Sequence, residues 1–299
     1  MQSVHSKWLI YCIFVILWSG GAIFVELGLK FADPLPFLML RFLIATVLMW
    51  TFCLFVKPSF PKQAFEWRMI ILTAIFQQIG YQFFYFLALD NRISPGVLTI
   101  ILGAQPILTA ILMNEGTNRF QWIGLLFGMI GLTFVVWQQI FSGTLSTIGI
   151  LYSLFSFLSI TVGTILQKNV HTNLPINVSI QYTCSFIAFS TFSLFFHSLN
   201  VRWTGLFVLS LLFMALGVTV SATLLLYYMI SKGKLTNTTS IFYCVPPFTA
   251  ILDYITFGHK LNVPIVIGMV LIILGMVLIN PQKVSKRTVN QSEIIKKHL

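Results

Sequence analysis

Acidic side chains are almost missing from this sequence. It has 7 in 299 residues, and charged residues of both signs make up 8% of the chain, where a soluble domain carries about 25%. A surface so poor in charge cannot be solvated by water, which excludes a soluble globular fold. Cysteine is scarce too. Cys12, Cys53, Cys184 and Cys244 all fall inside apolar runs without metal-ligand spacing, and read as small core residues. The 5 histidines are scattered near loops and make no metal constellation. The sequence has no phosphate loop with Gly and Lys, no nucleophile elbow and no paired His/Glu motif. No catalytic residue, no metal and no cofactor are expected.

What the chain has is apolar length. Hydrophobic residues make up 57% and the mean hydropathy is +0.91, so lipid is its solvent. Roughly 20 apolar residues cross a bilayer as a helix. Continuous apolar runs exclude a barrel, whose strands alternate. The runs place spans near residues 8–29, 36–56, 67–89, 95–113, 120–139, 147–167, 175–196, 205–230, 236–257 and 261–280. The expected fold is an all-α membrane protein with ten transmembrane helices.

One stretch occurs twice. Pro106-Ile-Leu-Thr109-Ala110-Ile-Leu112 reads against Pro246-Pro-Phe-Thr249-Ala250-Ile-Leu252 at an offset of 140, and Gly124 and Gly131 read against Gly268 and Gly275 at an offset of 144. A period of half the chain is the mark of duplication. The halves are expected at 1–141 and 142–282, five helices each, with a disordered, basic cytoplasmic tail over 283–299. Five spans per half is odd, so the copies insert in opposite orientations. Inverted repeats of this kind imply alternating access around a site near the midplane. The net charge of +11 invites a nucleic-acid partner, but the basic residues sit in loops and the tail. Thirteen fall on the side that holds both termini and four on the other, which places both termini in the cytoplasm.

Trp18-Ser19-Gly20, Leu40-Arg41-Phe42, Tyr85-Phe-Leu-Ala-Leu89, Pro106 with Gln121-Trp122-Ile-Gly124, and Gly268 with Gly275 succeed one another in order and spacing. With these motifs the chain resembles the drug/metabolite transporter superfamily, in its EamA-type ten-helix branch, over about residues 8–281. The resemblance implies two five-helix bundles around a central cavity, with the fifth and tenth spans peripheral. It also implies a small-molecule substrate in a bacterial inner membrane. The family's Gly-Glu pair between the fourth and fifth helices of each repeat is altered here, to Asn114-Glu115 and Gly258-His259.

Polar residues inside apolar spans are the candidates for chemistry. Residues four apart share a helix face, so Gln77, Tyr81 and Tyr85, with the adjoining Gln78 and Gln82, make one broad polar stripe. Such a stripe either lines a cavity or joins helices by hydrogen bonds. Thr219, Thr223 and Tyr227 form a second face. Trp18 and Tyr243 would supply aromatic walls if they face inward. Gln105-Pro106 and Pro246-Pro247 break helical hydrogen bonding near the midplane, which is tolerated where protein or water satisfies the freed groups. Glu26 and Arg41 stand at comparable depth on adjacent spans and are expected to pair, as a clamp or as a gate. Asp253 is a possible proton-coupling group. Gly124-Leu-Leu-Phe-Gly128 is a small-residue face, read as packing within the chain, and the protein is expected to be a monomer or weak homodimer.

These features suit a secondary transporter exporting a small neutral or zwitterionic metabolite, amino-acid-like. A multidrug, nucleoside or other metabolite exporter of the same fold is the nearest alternative. An intramembrane enzyme or a membrane scaffold is the alternative of another class. The topology is checked by cysteine labelling: a reagent applied from outside is expected to reach a probe cysteine at position 142 and to miss one at 285, and the opposite accessibility would overturn the orientation.

Overall fold

The computed structural model describes residues 4–91, 93, 95–114, 116–137, 146–257 and 262–279. The expected junction of the halves near 141, the altered pairs at Glu115 and at Gly258-His259, and the tail 283–299 lie outside the described residues. Among the described residues there is no strand beyond one isolated bridge.

In chain order the first helices are α1 (Val4–Leu29) and α2 (Pro34–Val56). Next come α3 (Ala64–Thr73), a π-helical segment (Ala74–Gly80) and α4 (Tyr81–Asp90) as one rod. Helices α5 (Pro95–Gly103) and α6 (Gln105–Met113) come after it, then α7 (Arg119–Val135). The second half begins with α8 (Thr147–Lys168) and α9 (Leu174–Phe195). A second interrupted rod joins α10 (Gly205–Leu212), a π-helical segment (Phe213–Ala222) and α11 (Thr223–Lys232). The last elements are α12 (Leu235–Ser240), a 3₁₀ turn (Ile241–Cys244), α13 (Val245–Phe257) and α14 (Val263–Ile279). Six of the continuous helical rods are long and apolar enough to cross a membrane, and 98–113, 119–135 and 263–279 are shorter apolar helices.

Local chemistry sets the boundaries. Asp33 precedes Pro34 at the start of α2, where a proline loses no helical hydrogen bond. Lys57, left-handed at φ 48°, ends that helix before Pro58. Asn118 and Gln121 cap α7 reciprocally, at 2.8 and 3.0 Å. The expected break at Gln105-Pro106 is real: the helix interrupts at Ala104. Its counterpart before Pro246-Pro247 is the 3₁₀ turn.

Outward faces are apolar, as lipid requires. On α2, Val47, Phe52 and Phe55 are exposed, Phe55 at 82%. Its other face lies along α9, where Phe42 stacks on Phe189 at 5.5 Å and meets Tyr182 at 5.7 Å. Trp50 Nε1 donates to Thr183 Oγ1 at 2.9 Å. At one end of the bundle the turn after α1 is stitched to the loop before α10. Ala32 and Val201 form the isolated bridge, Asp33 N–H donates to the Asn200 carbonyl at 3.1 Å, and Arg202 N–H donates to the Phe31 carbonyl at 2.7 Å.

Helices α7 and α14 pack backbone against backbone. Gly124 faces Gly275, and Gly131 faces Gly268. A Cβ on Gly124 would stand 2.6 Å from the Gly275 carbonyl oxygen, and one on Gly268 would stand 2.5 Å from that of Gly131. As the number rises along one helix it falls along the other, so the pair is antiparallel. Adding the sequence offset of 144 to the first-half glycines exchanges the two contacts. Gln121 Nε2 closes the end of the seam on the Ile279 carbonyl at 3.2 Å. Backbones this close leave no room for a side chain. Gly124→Val is expected to lower stability by about 1–3 kcal/mol through overpacking, whereas Gly205→Ala, with open space around it, is expected to be near neutral. Thermal denaturation of the two purified variants checks this.

Candidate functional site

The two π-helical segments organise the interior. A π turn takes in one more residue than an α turn and rotates the side chains beyond it about the helix axis. Ala74–Gly80 interrupts the rod where Gln77 and Gln78 stand, and Phe213–Ala222 interrupts its counterpart where Thr219 stands. The expected stripe therefore divides. Gln77 faces α8: a Cβ on Gly163 would lie 2.6 Å from the Gln77 nitrogen and Cβ. Its Oε1 is buried without a hydrogen-bond donor. Gln78 turns the other way, and its Nε2 donates to Tyr227 Oη at 2.9 Å.

Tyr227 is the hub of a buried amide cluster. Its hydroxyl donates to Gln181 Oε1 at 2.7 Å. Gln181 Nε2 donates in turn to Gln167 Oε1 at 2.9 Å and to Asn177 Oδ1 at 2.7 Å. Five side chains from the first interrupted rod, α8, α9 and α11 thus satisfy one another inside a low-dielectric interior, where each partner lost is costly. Lys168 sits beside them and donates from Nζ to the carbonyls of Ile230, at 2.7 Å, and Gly233, closing the C-terminal end of α11.

A second group adjoins the first. Arg41 is 8% exposed, and its Nε donates to Thr219 Oγ1. The Tyr182 hydroxyl donates to the carbonyl of the same threonine. Tyr81 and Tyr182 both lie within electrostatic reach of the Arg41 guanidinium, and Tyr182 within reach of Tyr227. The Tyr81 ring meets that of Tyr85 edge-on at 5.9 Å. The result is a continuous polar layer running from α2 across both π segments to α8 and α9.

Other expected residues go elsewhere. Gln82 is buried one turn beyond Gln78. Gln105 is buried, with Nε2 donating to Thr164 Oγ1 at 3.0 Å. Thr223 Oγ1 turns back on the Val218 carbonyl at 3.4 Å and also meets the Tyr182 hydroxyl, which keeps it at the rim of the polar layer. Trp18 packs on Phe14 and Phe242 at 5.3 and 5.1 Å. Tyr243 is not joined to the polar layer. Its ring lies flat on Gly128 in the α7–α14 seam, and its hydroxyl donates to the Leu125 carbonyl at 3.4 Å. The expected Glu26–Arg41 pair is not formed. Glu26 is on the outer face of α1 and pairs with Lys30, one turn on, at 3.9 Å. The short turn joins the ends of α1 and α2, but Arg41 turns inward onto Thr219 of the second π segment while Glu26 stays exposed beside Lys30, so the two charges face apart. Asp253 is on α13, and its side chain lies outside the described residues.

Sequence reasoning passed over Gln167, Asn177, Gln181 and Tyr182. The signal was there for two of them: Asn177 and Gln181 are four residues apart in an apolar span, the spacing already used for Gln77 and Tyr81. Tyr227→Phe would strip the cluster of its hub, leaving Gln78 Nε2 without an acceptor and Gln181 Oε1 without that donor. A loss of about 1–3 kcal/mol is expected, read as a lower melting temperature in detergent.

Comparison with known proteins matches the chain in two consecutive segments. The model of the EamA-like transporter family matches residues 6–137 and again 147–280. The chain is 23% identical over 290 residues to the uncharacterized transporter YvbV of Bacillus subtilis, covering 93% of each. It is 24% identical over 282 residues to an uncharacterized transporter of Archaeoglobus fulgidus, covering 90% of this chain and 96% of that one. A solved crystal structure superimposes with a TM-score of 0.80 at 18% identity, over 92% of this chain and 96% of the other.

Proposed function

Because the chain belongs to the EamA-like transporter family, whose members are integral membrane proteins, we propose that it is a secondary transporter for a small neutral or zwitterionic, amino-acid-like metabolite. In this reading ten spans form two inverted five-helix repeats in a bacterial inner membrane. Both termini are cytoplasmic, and alternating access carries the substrate outward. The observation that carries the proposal is the polar layer. Gln78, Tyr81 and Arg41 come from the first half of the chain, Gln181, Tyr182, Thr219 and Tyr227 from the second, and they meet at the two π segments. A site shared by both halves is what alternating access requires. Amides and phenols suit a polar ligand with an apolar part. The exchange of the two glycine contacts under the internal offset supports an inverted relation between the halves.

Flux of labelled amino acids and nucleosides into sealed proteoliposomes tests the proposal. A carrier moves the compound unchanged, an enzyme alters it, and a scaffold does neither. Tyr81→Phe removes a single hydroxyl, and no hydrogen bond within the protein is described for it. It is expected to weaken apparent substrate affinity by about 1–3 kcal/mol with the melting temperature kept. A fall in melting temperature at unchanged affinity would assign Tyr81 to helix packing instead.

A further inference from the structure

We infer that Arg41 receives a carboxylate of the transported molecule. The inference rests on the carrier reading above and adds the chemical group by which the substrate is held. Arg41 lies seven residues into α2, beyond the first turn and nearly sealed from the outside. Among the described residues it has no carboxylate partner. Glu26 is taken by Lys30. Asp33 accepts from Ser198 Oγ at 3.2 Å and Asn200 Nδ2 at 3.0 Å. Glu66 accepts the backbone N–H groups of Lys62 and Gln63 at the start of α3. The neighbours of the guanidinium are neutral: the Thr219 hydroxyl, the phenols of Tyr81 and Tyr182, and the Phe42 ring, whose centroid is 5.4 Å from Cζ.

A guanidinium carries five N–H donors in a planar fork, and one of them, at Nε, has a described acceptor. Burying a cation without an opposite charge is unfavourable, and polar neighbours alone do not offset it. A structural clamp between α2 and the second π segment would be served as well by a neutral donor. An arginine fits better where the missing charge comes with the ligand, because its fork matches a carboxylate in two parallel hydrogen bonds. The Tyr81 hydroxyl, for which no hydrogen bond within the protein is described, can add a donor; that of Tyr182 is engaged by the Thr219 carbonyl. One cation among neutral groups suits a single negative charge better than a phosphate. In the adjoining amide cluster the oxygens of Gln181, Asn177 and Gln167 are engaged, and the Gln78 side-chain oxygen, for which no donor is described, is the acceptor left for an ammonium group. The layer is therefore polarised as an α-amino acid is.

The test uses the full-length protein in proteoliposomes, with a panel of L-amino acids each paired with its carboxamide. The amide keeps the ammonium and the side chain and loses the negative charge. The free acids are expected to be transported, and the amides to compete at least about tenfold more weakly, as a lost charged hydrogen bond implies. Arg41→Gln is expected to abolish the preference for the acid without lowering the melting temperature, since it removes an uncompensated charge. Arg41→Lys is expected to retain a weakened preference. Acids and amides handled equally by the native protein, or a preference that survives Arg41→Gln, would overturn the assignment while leaving the carrier reading intact. Failure to move any acid or amide would instead remove the carrier reading for this substrate class, and the inference with it. If Arg41→Gln does not fold, the native acid–amide comparison and Arg41→Lys decide the matter.

Discussion

A peptide group in hydrocarbon must find its hydrogen bond within the protein, and the rest of this structure depends on that constraint. It makes every long apolar run a helix. It also decides where departures from the α-helix are allowed. The π segments, the break at Ala104 and the 3₁₀ turn at Ile241–Cys244 all occur inside the bundle, where neighbouring helices and polar side chains surround them. Ser156 donates to the Tyr81 carbonyl at 3.0 Å, and Ser19 to that of Val245 at 3.2 Å. In each case a hydroxyl from another helix meets backbone next to an irregular turn.

The same constraint places the chemistry. A π turn shifts its side chains out of the regular rows and lets two neighbouring residues serve different partners. Gln77 and Gln78 are adjacent in sequence, yet one lies on α8 and the other reaches Tyr227. In the second π segment Thr219 presents its hydroxyl to Arg41 and its carbonyl to Tyr182 at once. The polar layer is thus a product of two local irregularities that both meet α9.

The helices themselves were legible in the sequence. The apolar run over 147–167 is the helix Thr147–Lys168, and the run over 36–56 is Pro34–Val56. Proline, Asn118 and the glycine pairs marked ends and close contacts because their effects are local. The site was legible only in part. Gln78, Tyr227 and Arg41 stood out as polar groups in apolar spans, but their partners depend on rotation about each helix axis. No proline or charge marks either π segment, and a one-residue change of phase is enough to split a stripe drawn at the ordinary period. Tyr243 shows the same limit: its place was fixed by the flat surface of Gly128 on a helix more than a hundred residues away. Glu26 and Arg41 show it too, for a short turn fixes which ends meet and leaves open which faces do.

The glycine seam constrains how the halves can move. Its two points of contact are seven residues apart along each helix, or about 10 Å, and at both the backbones touch. An axial slip of α7 past α14 by one turn would bring Val135 or Gln121, the next residues on the glycine face, against a backbone already at contact distance at one of the two points. Tilting one helix over the other separates neither point far and collides with nothing comparable. The seam therefore resists sliding, and any relative motion of α7 and α14 would have to turn about it.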